Sequence, residues 1–147
     1  MIPYLDAGFL LTLLFNTSRT ATVNDILRDL NPPFVLNLFH QLQAENFLLQ
    51  LVKSDQPSHK RAGESGLRLW TRYFSEEVLD FADADWPASI QLAITWNAAS
   101  STAPPPPLLL LHPALAVVSE ASHFLSFDPR SRAAAKHAGL GLLPETL

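Results

Sequence analysis

The sequence predicts an α/β fold, a three-layer α/β/α sandwich in which helices cover both faces of a short parallel sheet. Two observations favour it. Short apolar runs alternate along the chain with segments whose apolar residues recur at helical spacing. Hydrophobic side chains make up 48% of the 147 residues, enough for one domain with a sizeable core. We therefore predict a single domain over residues 1–147 with its buried strands in a parallel sheet.

The first half of the chain is expected to alternate two strands with four helices. Strands are predicted where apolar residues are continuous, and helices where they recur every three or four positions. In order, these elements are a strand at 2–5, helices at 9–14 and 23–30, a strand at 34–36, and helices at 38–52 and 67–79. Prolines 32 and 33 end the second helix, and Asn37 is a suitable N-cap for the third. Polar residues 54–58 are expected to form a loop.

The second half begins with a fifth helix at Trp86-Pro87, because proline is favoured in the first helical turn. Residues 104–107 are all proline, which predicts a stiff extended spacer of roughly 12 Å at ~3.1 Å per residue. The remaining elements are a helix at 108–118 despite Pro113, a strand at 124–127, a helix at 130–138 stopped by Gly139, and a strand at 140–143.

Composition excludes several classes of site. The chain has no cysteine, so it has no disulfide, thiolate zinc site or cysteine nucleophile. It also lacks a glycine-rich phosphate loop and a Gly-x-Ser-x-Gly motif, which disfavours P-loop nucleotide binding and serine hydrolysis. No apolar stretch approaches the ~20 residues of a membrane span, so we expect a soluble protein with no membrane contact. The absence of cysteine is compatible with a cytoplasmic location.

Charge gives the chain no general attraction for RNA, because 10 Lys and Arg face 14 Asp and Glu. Any contact with nucleic acid must therefore be local. Lys60, Arg61, Arg68 and Arg72 lie on and before the predicted fourth helix. They form either a patch for the RNA backbone or an ordinary solvated helix face.

Four segments share a pattern with one known family. They are Tyr4 to Leu11, a strand ending in Asp6 before an apolar helix; Leu38 to Asn46; Leu109 to Ala114, with His112 followed by Pro113-Ala114; and Ser122 to Arg130, which contains Phe-Leu-Ser-Phe-Asp. In this order and spacing the chain resembles the PIN-domain family, in particular its VapC-type toxin ribonucleases. The last segment is the most specific of the four.

The resemblance implies a Mg²⁺- or Mn²⁺-dependent ribonuclease whose carboxylates gather at the carboxyl ends of the strands. Asp6 and Asp128 retain the acids expected of the family. Gln43 stands where the family has Glu, Leu109 where it has Asp, and Gly8 where it has a hydroxyl. We therefore expect Asp6, Asp128 and Gln43 to mark the catalytic position, with metal binding by the two aspartates weakened or lost.

Each of these positions also has a structural interpretation. Asp128 precedes Pro129 and would cap a helix without any metal, and Asp6 would cap the helix of Phe9 in the same way. His112 and His40 have two interpretations. Both would complete a histidine-richer metal site, or His112 would be a packed or hydrogen-bonded residue and His40 a solvated helix residue. Glu45 lies about 200° around the helix from Gln43 and is a poor replacement for the missing acid.

Three functional hypotheses follow. The first is a VapC-like PIN protein with impaired or lost nuclease activity that binds RNA or a partner protein such as an antitoxin. The second is an active Mg²⁺- or Mn²⁺-dependent endoribonuclease that uses Asp6 and Asp128 with Gln43 or His112. The third is a protein-interaction module, with the homodimer through the first two helices that the resemblance implies.

Overall fold

The computed structural model describes residues 1–99 and 106–147, and within them seven helices and five short strands alternate in an α/β order. The elements are β1 (Pro3–Leu5), α1 (Ala7–Leu14), α2 (Thr20–Arg28), β2 (Phe34–Leu36), α3 (Leu38–Val52), α4 (Pro57–Ser75), β3 (Leu79–Phe81), α5 (Trp86–Ala99), α6 (Pro107–Val118), β4 (His123–Leu125), α7 (Pro129–His137) and β5 (Gly141–Leu143). The predicted α/β class is confirmed.

The chain folds as two compact units. The terminal unit comprises residues 1–6 and 84–147, and the central unit comprises residues 7–83. Each unit contains its own parallel strand pairs, so hydrogen bonding produces two sheets where the sequence pattern predicted one. The single domain over residues 1–147 and its three-layer arrangement stay predictions.

In the terminal unit the strands follow the order β1-β4-β5, and all of them are parallel. Leu5 pairs with Leu125, which pairs in turn with Leu143 on the far side. Phe124 and Leu125 are fully buried, as expected for a strand enclosed by two neighbours and by helices. Because the strands are parallel, the residues that follow β1 and β4 emerge at the same edge of the sheet.

The helices of the terminal unit begin and end where their sequence indicates. Pro107 and Pro129 occupy first-turn positions of α6 and α7, and α6 continues through Pro113 as predicted. Gly139 follows α7 with a φ of +87°, the left-handed conformation that glycine adopts most readily at a helix end. The predicted stop at Gly139 is confirmed.

In the central unit β2 and β3 form a parallel pair, with Phe34 opposite Leu79. Helices α3 and α4 approach each other closely at Gly63, where an added Cβ would lie 2.7 Å from the backbone nitrogen of Val52. Only glycine permits this contact without displacement of the backbone. Buried apolar side chains from every helix of the unit complete the packing, among them Phe9, Val23, Leu48 and Trp70.

Two predictions of secondary structure require correction. The fourth helix begins at Pro57 and ends at Ser75, because Pro57 is a favoured first-turn residue. Of the predicted loop at 54–58, residues 54–56 lie outside helices and strands, and residues 57 and 58 form the exposed start of α4. Leu79 belongs to β3, since Glu77 adopts a left-handed φ of 56° that ends helical geometry before it. Of the proline spacer, residues 104 and 105 lie outside the described residues, and Pro107 is already helical.

Over the described ranges, every helix is too short or too polar to cross a lipid bilayer.

Candidate functional site

The candidate site lies where β1 and β4 end side by side. The register that pairs Leu5 with Leu125 brings Asp6 next to Ser126, and the Asp6 amide donates a 2.9 Å hydrogen bond to the Leu125 carbonyl. Asp6 is only 6% exposed and Ser126 is fully buried. Residues 120 positions apart in sequence thus form one buried polar cluster.

The Ser126 hydroxyl joins the ends of both strands. It donates a short hydrogen bond to Oδ2 of Asp6 and accepts one of 3.0 Å from the backbone amide of Asp128. The segments that carry the two predicted acids therefore converge through a serine hydroxyl. The family resemblance predicted no function for Ser126, which entered it only as one residue of the Phe-Leu-Ser-Phe-Asp segment.

Arg132 places a cation beside this carboxylate. It lies on α7, is only 6% exposed, and donates to the carbonyls of Ser126 at 2.9 Å and Pro144 at 2.7 Å. Burial lowers the pKa of Arg132, and the Asp6 carboxylate partly offsets this by raising it. An arginine remains protonated at neutral pH even so. The cluster therefore contains a buried positive charge that interacts electrostatically with the buried Asp6 carboxylate.

Sequence reasoning missed Arg132 because arginines are usually exposed and no motif contains it. One signal was present. Arg132 lies four residues after the helix-capping Asp128 and three before the fully buried Ala135, so helical periodicity directs it to the buried face of α7.

Asp128 itself caps α7, as predicted. Its Oδ1 accepts a 2.8 Å hydrogen bond from the Arg130 backbone amide, and Pro129 occupies the first helical position. Its Oδ2 lies 3.4 Å from the Arg130 guanidinium in a largely exposed ion pair. The Asp128 carboxylate thus stabilises the start of a helix.

His112 is buried against Tyr4, whose hydroxyl lies 3.0 Å from the His112 Nδ1. The two rings meet edge to face at a centroid distance of 5.8 Å. The packed, hydrogen-bonded interpretation of His112 is therefore confirmed. Leu109, at the position of an expected acid, is a half-buried hydrocarbon whose carbonyl accepts from Ser131 at 3.3 Å.

The other predicted residues belong to the central unit. His40 is fully buried, so its interpretation as a solvated residue was wrong. Its Nδ1 accepts from the Asn37 amide at 3.1 Å and completes a capping box for α3, a role usually filled by Glu or Gln. Gln43 is half-buried on the same helix, and Glu45 accepts hydrogen bonds from Gln41 and Trp70.

The cluster around Asp6 does not fit a divalent metal ion. Magnesium and manganese bind through several anionic or neutral oxygens. Here the Asp6 carboxylate accepts from Ser126 and interacts electrostatically with the Arg132 guanidinium, and Leu109 offers no side-chain oxygen. Throughout residues 1–99 and 106–147, no three His, Asp or Glu side chains lie close enough together to hold one ion.

Chemically, the cluster can hold charge and fix geometry. A carboxylate, a hydroxyl and a guanidinium connect the end of β1 to the end of β4 and to α7, with their hydrogen bonds made inside the protein.

Comparison of the chain with protein-family models, with curated proteins and with solved structures gave no match.

Proposed function

We propose that this chain is a PIN-like protein in which an internal cation replaces metal-dependent ribonuclease chemistry, and that it acts by binding RNA. The buried Arg132 guanidinium, which donates to the Ser126 carbonyl and interacts electrostatically with Asp6, carries the proposal. A divalent ion in a nuclease offsets the negative charge of the carboxylates around it. A fixed arginine offsets the same charge and also repels any cation that approaches.

The two remaining acids have structural roles that favour their retention without catalysis. Asp6 accepts from Ser126 and balances Arg132, and Asp128 caps α7. Removing either carboxylate would leave buried donors unpaired or a helix end uncapped. Both aspartates therefore contribute to stability without catalysis. Gln43 and Leu109, which stand where the resembled family has acids, are consistent with this interpretation.

A basic face of α4 supports RNA as the ligand. Arg61, Arg68 and Arg72 are separated by seven and four residues, so they share one face at spacings of about 10 Å and 6 Å along the helix axis. All three are exposed. The Arg72 guanidinium pairs with Glu76 at 2.7 Å in a solvent-exposed contact that contributes little stability. Such a row of guanidinium groups can bind successive phosphates.

The absence of nuclease activity is tested with Mn²⁺ and labelled single-stranded RNA. We expect neither cleavage products nor a rise in melting temperature on addition of Mn²⁺ or Mg²⁺, because Arg132 already neutralises Asp6. Manganese-dependent cleavage that Asp6→Asn abolishes would instead establish the active endoribonuclease, with Gln43 or His112 as further participants.

RNA binding is tested by fluorescence anisotropy in the presence of EDTA. The variant Arg61→Gln/Arg68→Gln removes two charges from the basic face, and Lys53→Gln/Arg28→Gln removes two from elsewhere in the central unit. We expect the first variant to weaken binding and to lower the log–log salt slope by about 1 to 2, since each phosphate contact in a single strand contributes about 0.7. Equal effects of both variants, or no binding by the wild type, would reject this function.

A protein partner is the second candidate, because α3 exposes an apolar stripe. Leu38 and Leu42 are 64% and 66% exposed, and Leu49 lies on the same side of the helix. Exposed leucines in register often mark an interaction surface. An antitoxin or a second copy of the chain in the cytoplasm would suit it. A concentration-dependent sedimentation coefficient that Leu42→Lys abolishes would support the homodimer.

A further inference from the structure

Helices α5, α6 and α7 of the terminal unit surround an open cavity of about 310 Å³. Its lining includes Trp96 from α5, Leu110 from α6, and Arg130, Ala133, Ala134 and His137 from α7. None of the residues of the Asp6 cluster lines this cavity. Its volume lies at the lower end of the range for small-molecule sites.

The cavity exists because of the residue sizes on one face of α7. Arg130, Ala133, Ala134 and His137 follow one another at positions i, i+3, i+4 and i+7, which places them on the same side of the helix. Two alanines between two long side chains leave a space open. Its floor is apolar, because Trp96 and Ala134 pack against the buried cluster that contains Leu110.

The polar groups at the cavity are one cation, Arg130, and one imidazole, His137. The Arg130 side chain is 63% exposed, and its contact with Asp128 at 3.4 Å is long for an ion pair. Asp128 caps α7 through the Arg130 backbone amide, so the guanidinium can bind another anion without loss of the cap. His137 lies in the last turn of α7. None of the described lining residues is acidic.

We propose that this cavity binds one nucleotide of single-stranded RNA. The base lies against Trp96 and the apolar floor, and its phosphate binds Arg130 and His137. An indole provides a stacking surface for any base, and a guanidinium and an imidazole N–H can each donate to phosphate oxygens. The inference rests on the proposed function in naming RNA as the ligand, and it adds a site that the basic face of α4 does not supply.

The first experiment uses adenosine 5′-monophosphate and the full chain. In ¹H–¹⁵N spectra the Trp96 indole resonance, assigned with Trp96→Phe, is expected to shift on titration with the nucleotide. The Trp70 indole, in the central unit, is expected to stay in place. A Trp96 signal that does not move overturns the proposal, as does inorganic phosphate producing the same shift as the nucleotide.

The second experiment measures the affinity of a labelled single-stranded RNA by anisotropy. Arg130→Gln removes the phosphate donor, and Ala133→Leu fills the cavity. Their matched controls are Lys136→Gln, on the same helix but outside the lining, and Ala138→Leu, just beyond its end. We expect the RNA affinity to fall about 10-fold for each cavity variant, comparable to the loss of one stacked base. For each control we expect it to fall less than about twofold.

The outcomes separate the two proposals. If the wild type binds RNA and Ala133→Leu binds it with the same affinity, the cavity is not an RNA site, and the proposed function stays intact. Wild-type protein that fails to bind RNA while the nucleotide still shifts Trp96 supports the cavity as a nucleotide site and rejects RNA binding as the function. A melting temperature within a few degrees of the wild type identifies the variants that are folded.

Discussion

The ends of β1 and β2 present the same local sequence pattern and different structures. Each strand is followed by one polar residue, Asp6 or Asn37, and then by a helix. Asn37 accepts from the Phe39 amide at 3.0 Å and caps its own helix with His40. Asp6 accepts from Ser126, 120 residues away, and interacts electrostatically with the buried Arg132.

The neighbouring strand accounts for this difference. Beside Asn37, β3 continues into Ala82, which has no polar side-chain atom and donates only its amide to the Leu36 carbonyl. Beside Asp6, β4 continues into Ser126, whose hydroxyl is within reach of the carboxylate. A polar residue after a strand therefore gains a long-range partner where the adjacent strand supplies a hydroxyl.

Replacing Arg132 is expected to have the largest effect. Arg132→Met removes a buried cation that interacts electrostatically with Asp6, and it leaves the carbonyls of Ser126 and Pro144 without their donor. We expect the free energy of unfolding to fall by about 2 to 4 kcal/mol, since each unpaired buried acceptor costs about 1 to 3 kcal/mol. Lys136→Met, on the exposed side of the same helix, should change it by less than about 0.5 kcal/mol. Urea unfolding followed by circular dichroism measures both. A loss below about 1 kcal/mol would show that the cation does not balance Asp6.

Removing the bridging hydroxyl should have a smaller effect. Ser126→Ala deprives Asp6 of a donor and the Asp128 amide of an acceptor in a buried position, so we expect a loss of about 1 to 3 kcal/mol. Ser65→Ala, at an exposed position of α4, serves as the control and should lie within about 0.5 kcal/mol of the wild type. Equal stability of the two variants would mean that the strand ends are not joined through this serine.

The local cap at the end of β2 should contribute about 1 kcal/mol. Asn37→Ala removes the acceptor for the first amides of α3, and caps of this type typically contribute that amount. Asn46→Ala, exposed on the same helix, tests whether the loss reflects capping or helix propensity. A thermal unfolding curve for Asn37→Ala that matches the control would refute the contrast between the two strand ends.

Introducing a serine beside Asn37 should have the smallest effect. Ala82→Ser places a hydroxyl at the position after β3 that corresponds to Ser126 after β4. Because Ala82 is exposed, we expect a change within about 0.5 kcal/mol. Stabilisation by more than about 1 kcal/mol would indicate that a hydroxyl at a strand end stabilises the chain even without a carboxylate beside it.

Much of the secondary structure was predictable because it depends on local signals. The α3 helix begins after Asn37 and ends at Val52 as its spacing indicates, and the Asp128-Pro129 pair marks the start of α7. The end of α4 was misplaced because apolar spacing alone does not distinguish Leu79 in a short strand from one more helical residue. The turn at Glu77 offered no glycine to mark it.

The candidate site was predictable only in part. Asp6 ended an apolar run, but its pairing with the Asp128 segment was expected from the family resemblance, which implies carboxylates at the carboxyl ends of the strands. The burial of His40 and the position of Arg132 were not predicted. In both cases a polar side chain is buried because a specific partner compensates its loss of water, and that partner is known only from the folded chain.

The sequence by itself determined the α/β class, the helix caps and the exclusion of cysteine chemistry, because each depends on residue types within a few positions of one another. The tertiary structure alone decided that Asp6 accepts from a serine and interacts electrostatically with an arginine, both from the opposite end of the chain. Pairing between distant strands sets which charges become neighbours, and neighbouring charges decide whether a buried carboxylate attracts a metal ion or is already balanced.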